Sequence, residues 1–164
     1  MSDRVVIMND GRLQQMDMPG TVYAHPNNVW VAGFIGSPAM NFFDCTFRTR
    51  DGGGFLDAGE FSVEITSDMA EAVRKNATGA EVVLGVRPED ITVSKIRRPA
   101  SIQGSVYVIE PMGDSVIVDA NIGKNLAKAR ADPSFQADIE EKVYLTFNQS
   151  KIHVFEKKRQ TTIV

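Results

Sequence analysis

The sequence predicts a mainly β protein, one or two small five-stranded barrels with a single helix, preceded by a short mixed α/β segment. Three observations predict it. Short apolar runs recur from residue 38 to about residue 156, each bounded by Gly, Pro, Asn or Asp, as in small closed or nearly closed all-β units. One stretch there, "SDMAEAVRKNATG", has helical periodicity instead. Residues 1–36 combine a hairpin pattern with two short helical ones, and the character changes after Pro38. The expected division is therefore residues 1–36 and residues 37–164. A chain of 164 residues, 43% hydrophobic and 24% charged, can bury a core.

In the first segment "RVVIM" and "RLQQM" flank Asn9-Asp10-Gly11, a turn whose last two residues tolerate positive φ. Pro19 suits the first position of a helix. A second helical piece follows Pro26, with Asn27 or Asn28 as its cap. Val31, Phe34 and Ile35, at i, i+3 and i+4, form its predicted apolar face. Beyond Pro38, "NFFDCTFR" reads as a strand and "DGGGF" as a turn or flexible loop. "FLDAGEFSVEI" is a hairpin turning near Ala58-Gly59. In the helix, Asp68 with Glu71 resembles a capping box, and Arg74 and Lys75 suit the C-terminal dipole, with Gly79 as a stop. "EVVLGVRPEDITVS" is a strand bent at Pro88. "SIQGSVYVIEPMGDSVIVDANIG" gives two strands, with Val106 and Val108 on one face and Tyr107 and Ile109 on the other. "LAKARA" fits a strand or a helix equally. "EKVYLTFNQSKIHVFE" reads as a final hairpin, with Val143, Leu145 and Phe147 on one face and Ile152 and Val154 alternating after the turn. Phe155 lies out of phase, facing a partner or a second packed layer.

The chemistry is mostly a set of exclusions. Net charge is −3, so no general pull toward nucleic acid or anionic lipid is expected. The locally basic "EKKRQ" reads as a solvated tail. One cysteine, Cys45, permits no intrachain disulfide and reads as a small buried hydrophobe. No phosphate-binding glycine loop, dinucleotide fingerprint or nucleophile elbow occurs. His25 and His153 stand far apart, the latter read as an exposed strand residue, and neither has metal-ligand spacing around it. Adjacent carboxylates such as Glu89-Asp90 and Glu140-Glu141 face opposite ways on a strand. No transmembrane-length apolar run or signal-peptide core is present, and a cytosolic location is expected.

"DRVVIMNDGRLQQMDMPGTVYAHPNNVWVAGFIGSPAMNF", "LGVRPEDI", "VIEPMGDSVIV" and "VYLTFNQSKIHVFE" together resemble the C-terminal part of sugar-type ABC importer ATPases, of the maltose and glycerol-phosphate class. The resemblance covers nearly the whole chain. Asp17-Met18 stands where that family usually has Gly-Thr, and Asn27 where Ala is common. The resemblance implies that residues 1–36 are the end of an ABC ATPase domain and residues 37–164 a regulatory OB-type (TOBE) domain. It implies that the ATP- and magnesium-binding motifs belong to a parent protein, N-terminal to Asp3, so that this chain holds no cofactor and is not itself an enzyme. Implied partners are a second copy of the subunit, transmembrane permease subunits and, in some members, a regulatory protein, at the inner face of the cell membrane; nucleic acid is not one.

By the same resemblance the interdomain hinge falls at Gly36, Ser37, Pro38, Met40 and Asn41. A dimer or regulatory surface falls around Arg87, Pro88, Glu89, Glu110, Met112, Gly113 and Phe155. The hairpin of residues 4–16, whose apolar strands are association templates, is expected to pair with another chain or to dock on the β domain. The competing expectation is a stand-alone OB-type domain that binds a small oxyanion.

Overall fold

The computed structural model describes residues 3–50 and 53–164. The chain opens with an antiparallel hairpin, β1 (Val5–Asn9) and β2 (Arg12–Asp17). Asp10 (φ 48°) and Gly11 (φ 73°) both take the left-handed conformation the tight turn requires. Helix α1 (Pro19–Ala24) begins on Pro19, and α2 (Val29–Phe34) is capped by Asn28, whose side chain accepts the Val31 N–H at 2.8 Å. The inward stripe of α2 differs from expectation. Val31 and Ala32 are buried, whereas Phe34 is 61% exposed and stacks on Trp30 with ring centroids 4.9 Å apart. So short a helix needs only a narrow inward stripe, and Val31, Ala32 and the half-buried Ile35 supply it. Val31 joins Ile7 and Val22 in a small core of this segment's own.

Two five-stranded antiparallel sheets follow. The first has the order β12-β6-β3-β4-β5 and the second β10-β9-β8-β11-β7. Their strands are β3 (Asn41–Arg50), β4 (Gly53–Asp57), β5 (Ser62–Ile65), β6 (Glu81–Val86), β7 (Ile91–Ser94), β8 (Ile102–Pro111), β9 (Val116–Ile122), β10 (Asn125–Ala131), β11 (Lys142–Phe147) and β12 (His153–Glu156). Asp51 and Gly52, part of the expected "DGGGF" turn, lie outside the described residues, while Gly53–Phe55 are already strand. "LAKARA" is a strand, and Ala127 and Ala129 are fully buried at the period of two. Helix α3 (Ser67–Asn76) is capped by Thr66, which accepts the Met69 N–H, and not by Asp68; it leaves through Ala77 without using Gly79.

Two further differences have clear causes. A register shift between Val106 and Val108 bulges β8 at the exposed Tyr107, so Val106 and Ile109, not Val106 and Val108, face the core. The final hairpin does not form. Both edges of β11 are taken, by β7 and β8. After a 3-10 turn at Gln149–Lys151 the chain crosses to the first sheet, where β12 pairs with β6. Ile152 and Val154 still alternate into the interior as expected.

One continuous core joins the two sheets. Phe43 of the first sheet packs edge-on against Phe61 (5.3 Å between centroids) and stacks with Phe147 of the second (5.9 Å). Cys45 is buried there, and desolvation pushes its thiol pKa up to about 12, which keeps it unreactive.

A candidate interdomain junction

The last residue of β6 is followed by Arg87, which is 2% exposed. The extended backbone there turns into a 3-10 turn, Pro88–Asp90, and directs the side chain back toward the N-terminal segment. Nη1 donates to the Ile35 carbonyl at 2.8 Å and Nη2 to the Tyr23 carbonyl at 2.7 Å. The guanidinium lies 3.7 Å from the centroid of the Tyr23 ring. A planar fork that donates at two points while stacking on a ring is arginine chemistry, which lysine does not reproduce. Burial lowers the Arg87 pKa, opposed by the nearby Asp90, and an arginine remains charged under such a shift. The carbonyl dipoles and the Tyr23 π face therefore solvate a cation. The Tyr23 hydroxyl in turn donates to Glu89. One residue group thus grips both α1 and the end of α2.

The predicted hinge residues lie against this grip. Gly36 has φ 118°, and a Cβ there would sit 3.0 Å from Arg87 Nη1. The positive φ calls for glycine, and a side chain there would also have to displace the Arg87 guanidinium. The Ser37 carbonyl accepts from Arg130 at 3.2 Å, and the Ser37-Pro38 peptide is cis. Met40 is buried with Ala32, Val83 and Phe155, so this small cluster joins α2 to the first sheet. Gly85 makes room for it, since a Cβ there would meet Met40 Sδ and Phe155 Cε2, each at 2.7 Å. The buried amide of Asn41 donates to the carbonyls of Val86 (3.1 Å) and Lys128 (2.9 Å) and accepts the Lys128 N–H (2.7 Å). It bonds the first sheet to the edge of the second.

The candidate surface residues separate into two places. Arg87, Pro88, Glu89 and Phe155 are at the junction, and all but Glu89 are buried within the chain. Phe155 belongs to a second packed layer, edge-on to Phe42 at 5.9 Å. Glu110, Met112 and Gly113 are at the β8–β9 turn, where Met112 is 56% exposed and Gly113 has φ 96°.

Sequence reasoning missed the third fastening. The "EKKRQ" stretch is a turn and not a tail, although Lys158, Arg159 and Gln160 are exposed as expected. Glu156, 3% exposed, accepts the Arg159 N–H and the Thr78 hydroxyl, each at 2.5 Å. The chain then doubles back along β12, with Ile163 N–H donating to the Val154 carbonyl at 2.7 Å. It also reaches the N-terminal segment, with Val29 N–H to Gln160 O at 2.9 Å and Thr162 N–H to Asn27 O at 3.0 Å. The β-branched "TTIV" after a polar turn was the available signal. The hairpin of residues 4–16 docks on the helices of its own segment. Gln15 is buried, donating to His25 O and accepting from Asn27 N–H, both at 2.9 Å. Its other face leaves Val6, Met8, Leu13 and Met16 at least 50% exposed.

His153 is half-buried beside Phe155 and not an exposed strand residue. Burial, and then the charge of Arg87, push its pKa down to about 4. Protonation therefore favours the unfolded chain. The stability this neutral imidazole supports is complete above the ordinary histidine value of 6.5 and is lost as pH falls through about 4. The urea midpoint is expected to fall between pH 7 and pH 4, and to fall less in His153→Gln.

Among the described residues no group of three or more His, Cys, Asp or Glu side chains is placed to hold a metal ion. Among the same residues no helix is long and apolar enough to cross a membrane. The two curled sheets, the last strand that crosses to the first sheet and the fastened N-terminal segment define an OB-type module. Residues 36–91 match the MalK OB fold domain and residues 84–155 the TOBE domain. The chain belongs to the TOBE family, as the C-terminal TOBE portion found in ATP-binding proteins of sugar ABC importers.

It is 37% identical over 165 residues to the trehalose/maltose import ATP-binding protein MalK of Thermococcus litoralis, covering 96% of this chain and 43% of that protein. It is 32% identical over 168 residues to the oligosaccharides import ATP-binding protein MsmX of Bacillus subtilis, covering 99% and 45%. The chain thus spans less than half the length of these relatives. The solved structure of the cytoplasmic molybdate-binding protein ModG with molybdate bound shares the fold, with TM-score 0.53 at 16% identity over 70% of this chain and 94% of that one.

Proposed function

We propose that this chain is the non-catalytic regulatory and dimerisation portion of the ATP-binding subunit of an importer for sugars, polyols or glycerol phosphate. In that reading residues 1–36 end the ATPase domain and residues 37–164 form the regulatory domain. ATP, magnesium and the contacts to permease subunits belong to the rest of the parent subunit, at the cytoplasmic face of the membrane. A second copy pairs through the β unit, and a regulatory protein is a further partner. The single observation that supports it most is the junction. Arg87, the packing of Met40 on Ala32 and the returning C-terminus leave little freedom between the two segments, as a module that passes motion between an ATPase and its regulator requires. The exposed row Val6, Met8, Leu13 and Met16 supports the same reading, as a face that the ATPase domain covers.

Sedimentation tests the pairing. The chain is expected to sediment as a dimer and to remain one when Leu13 and Met16 are both replaced by Glu. A monomer, or a dimer abolished by those glutamates, would overturn pairing through the β unit. Calorimetric titration with molybdate separates the alternative, a small-oxyanion binder, for which saturable heat is the required result.

A further inference from the structure

A cleft of about 1060 Å³ lies between the two sheets and away from the junction. One wall is β5, the terminal strand of the first sheet. The other is the start of β8 and the end of β11 with the turn after it, including Ile102, Thr146, Phe147 and Gln149.

The pairing of β5 decides what this cleft can hold. Ala58 N–H donates to Phe61 O at 2.9 Å, which makes 58/61 a bonded pair of the β4–β5 hairpin. Bonded and non-bonded pairs alternate along an antiparallel ladder. Val63 opposite Leu56 and Ile65 opposite Gly54 are then bonded, while Ser62 opposite Asp57 and Glu64 opposite Phe55 are not. The N–H and C=O of Ser62 and Glu64 therefore point away from β4, toward the free edge. Four of the polar side chains that line the cleft are engaged locally, those of Thr66, Ser101, Asn148 and Ser150. Asn148 Oδ1 accepts from Ser150, Thr66 Oγ1 caps α3, and Ser101 Oγ bonds Arg98. A small polyol needs such side-chain groups, whereas an extended peptide needs main-chain groups, and those are what β5 offers.

We infer that an extended segment of a partner protein adds to β5 in this cleft. Alternation fixes its chemistry. Val63 and Ile65 face the core and Ser62 and Glu64 face outward, so an added strand turns apolar residues toward Ile102 and Phe147. Its polar residues lie beside Ser62 and Glu64, with a lysine or arginine next to the Glu64 carboxylate. The occupant is an apolar–polar alternating segment carrying a cation. This inference stands independently of the importer reading, because it rests on the free edge alone.

The test is to pan a phage-displayed library of random heptapeptides against the 164-residue chain. The enriched peptides are then measured by fluorescence anisotropy. Alternating sequences with one Lys or Arg are expected. Ser62→Pro removes an outward N–H without touching the β4 ladder and is expected to weaken them about tenfold. Glu64→Lys is expected to weaken them likewise, and exchanging the peptide's cation for Glu to restore binding to that variant. Circular dichroism and a thermal melt of both variants confirm that the fold is retained. No enrichment, peptides indifferent to Ser62→Pro, or displacement of the peptides by a neutral sugar such as maltose would each overturn strand addition.

Discussion

Arg87→Ala is expected to lower the stability of the chain by about 3 kcal/mol, read as a shift in the urea midpoint at unchanged slope. The substitution leaves the Ile35 and Tyr23 carbonyls without their donor and opens a void beneath the Tyr23 ring. Charge-assisted hydrogen bonds to buried groups are worth about 1.5–3 kcal/mol each, and losing the desolvation cost of the guanidinium offsets part of the two. Arg87→Lys is expected to recover less than half of the loss. An ammonium supplies one point of donation and no planar face against the ring. A lysine variant as stable as the parent would mean that only the charge matters and that the fork geometry does not.

Asn41→Ala is the second large effect, about 3 kcal/mol. Its amide takes part in three hydrogen bonds, two donated and one accepted, and at roughly 1 kcal/mol each they sum to that value. Alanine leaves the Lys128 N–H and carbonyl unmatched at the place where β3 meets β10. The loss is expected to appear in both sheets at once, because one core joins them. Independent melting of the two sheets in this variant, seen as two urea transitions, would show that Asn41 and not the core couples them.

Much of this was legible in the sequence, for local reasons. The Asp10-Gly11 turn, the Pro19 start and the Asn28 cap are decided within a few residues, and each formed as the local chemistry requires. The β character after Pro38 followed from alternation, which Val143, Leu145 and Phe147 obey. What failed was partner choice. Nothing in "VYLTFNQSKIHVFE" reveals that β7 and β8 occupy both edges of β11, so a hairpin was the natural reading of two alternating runs around a turn. Tyr107 shifted its strand by one position, which alternation within β8 does not reveal. The choice of Gly36 to Asn41 came from resemblance, and what these residues touch appeared only with the fold. Gly36 answers to an arginine 51 positions along the sequence, and Asn41 to a lysine main chain 87 positions away. The phase of Phe155 left open a partner or a second layer, and the fold answers with the layer that Met40 and Ala32 supply.

Arg87 locks the N-terminal segment to the β unit through the Ile35 and Tyr23 carbonyls. Amide hydrogen exchange followed by mass spectrometry, on the parent chain and Arg87→Ala under native conditions, tests it most directly. Amides of residues 19–36 are expected to exchange as slowly as those of β6 in the parent. In Arg87→Ala they are predicted to exchange much faster while β3, β6 and β12 stay protected. Fast exchange of residues 19–36 in the parent, or equal protection of that segment in both proteins, would contradict the lock.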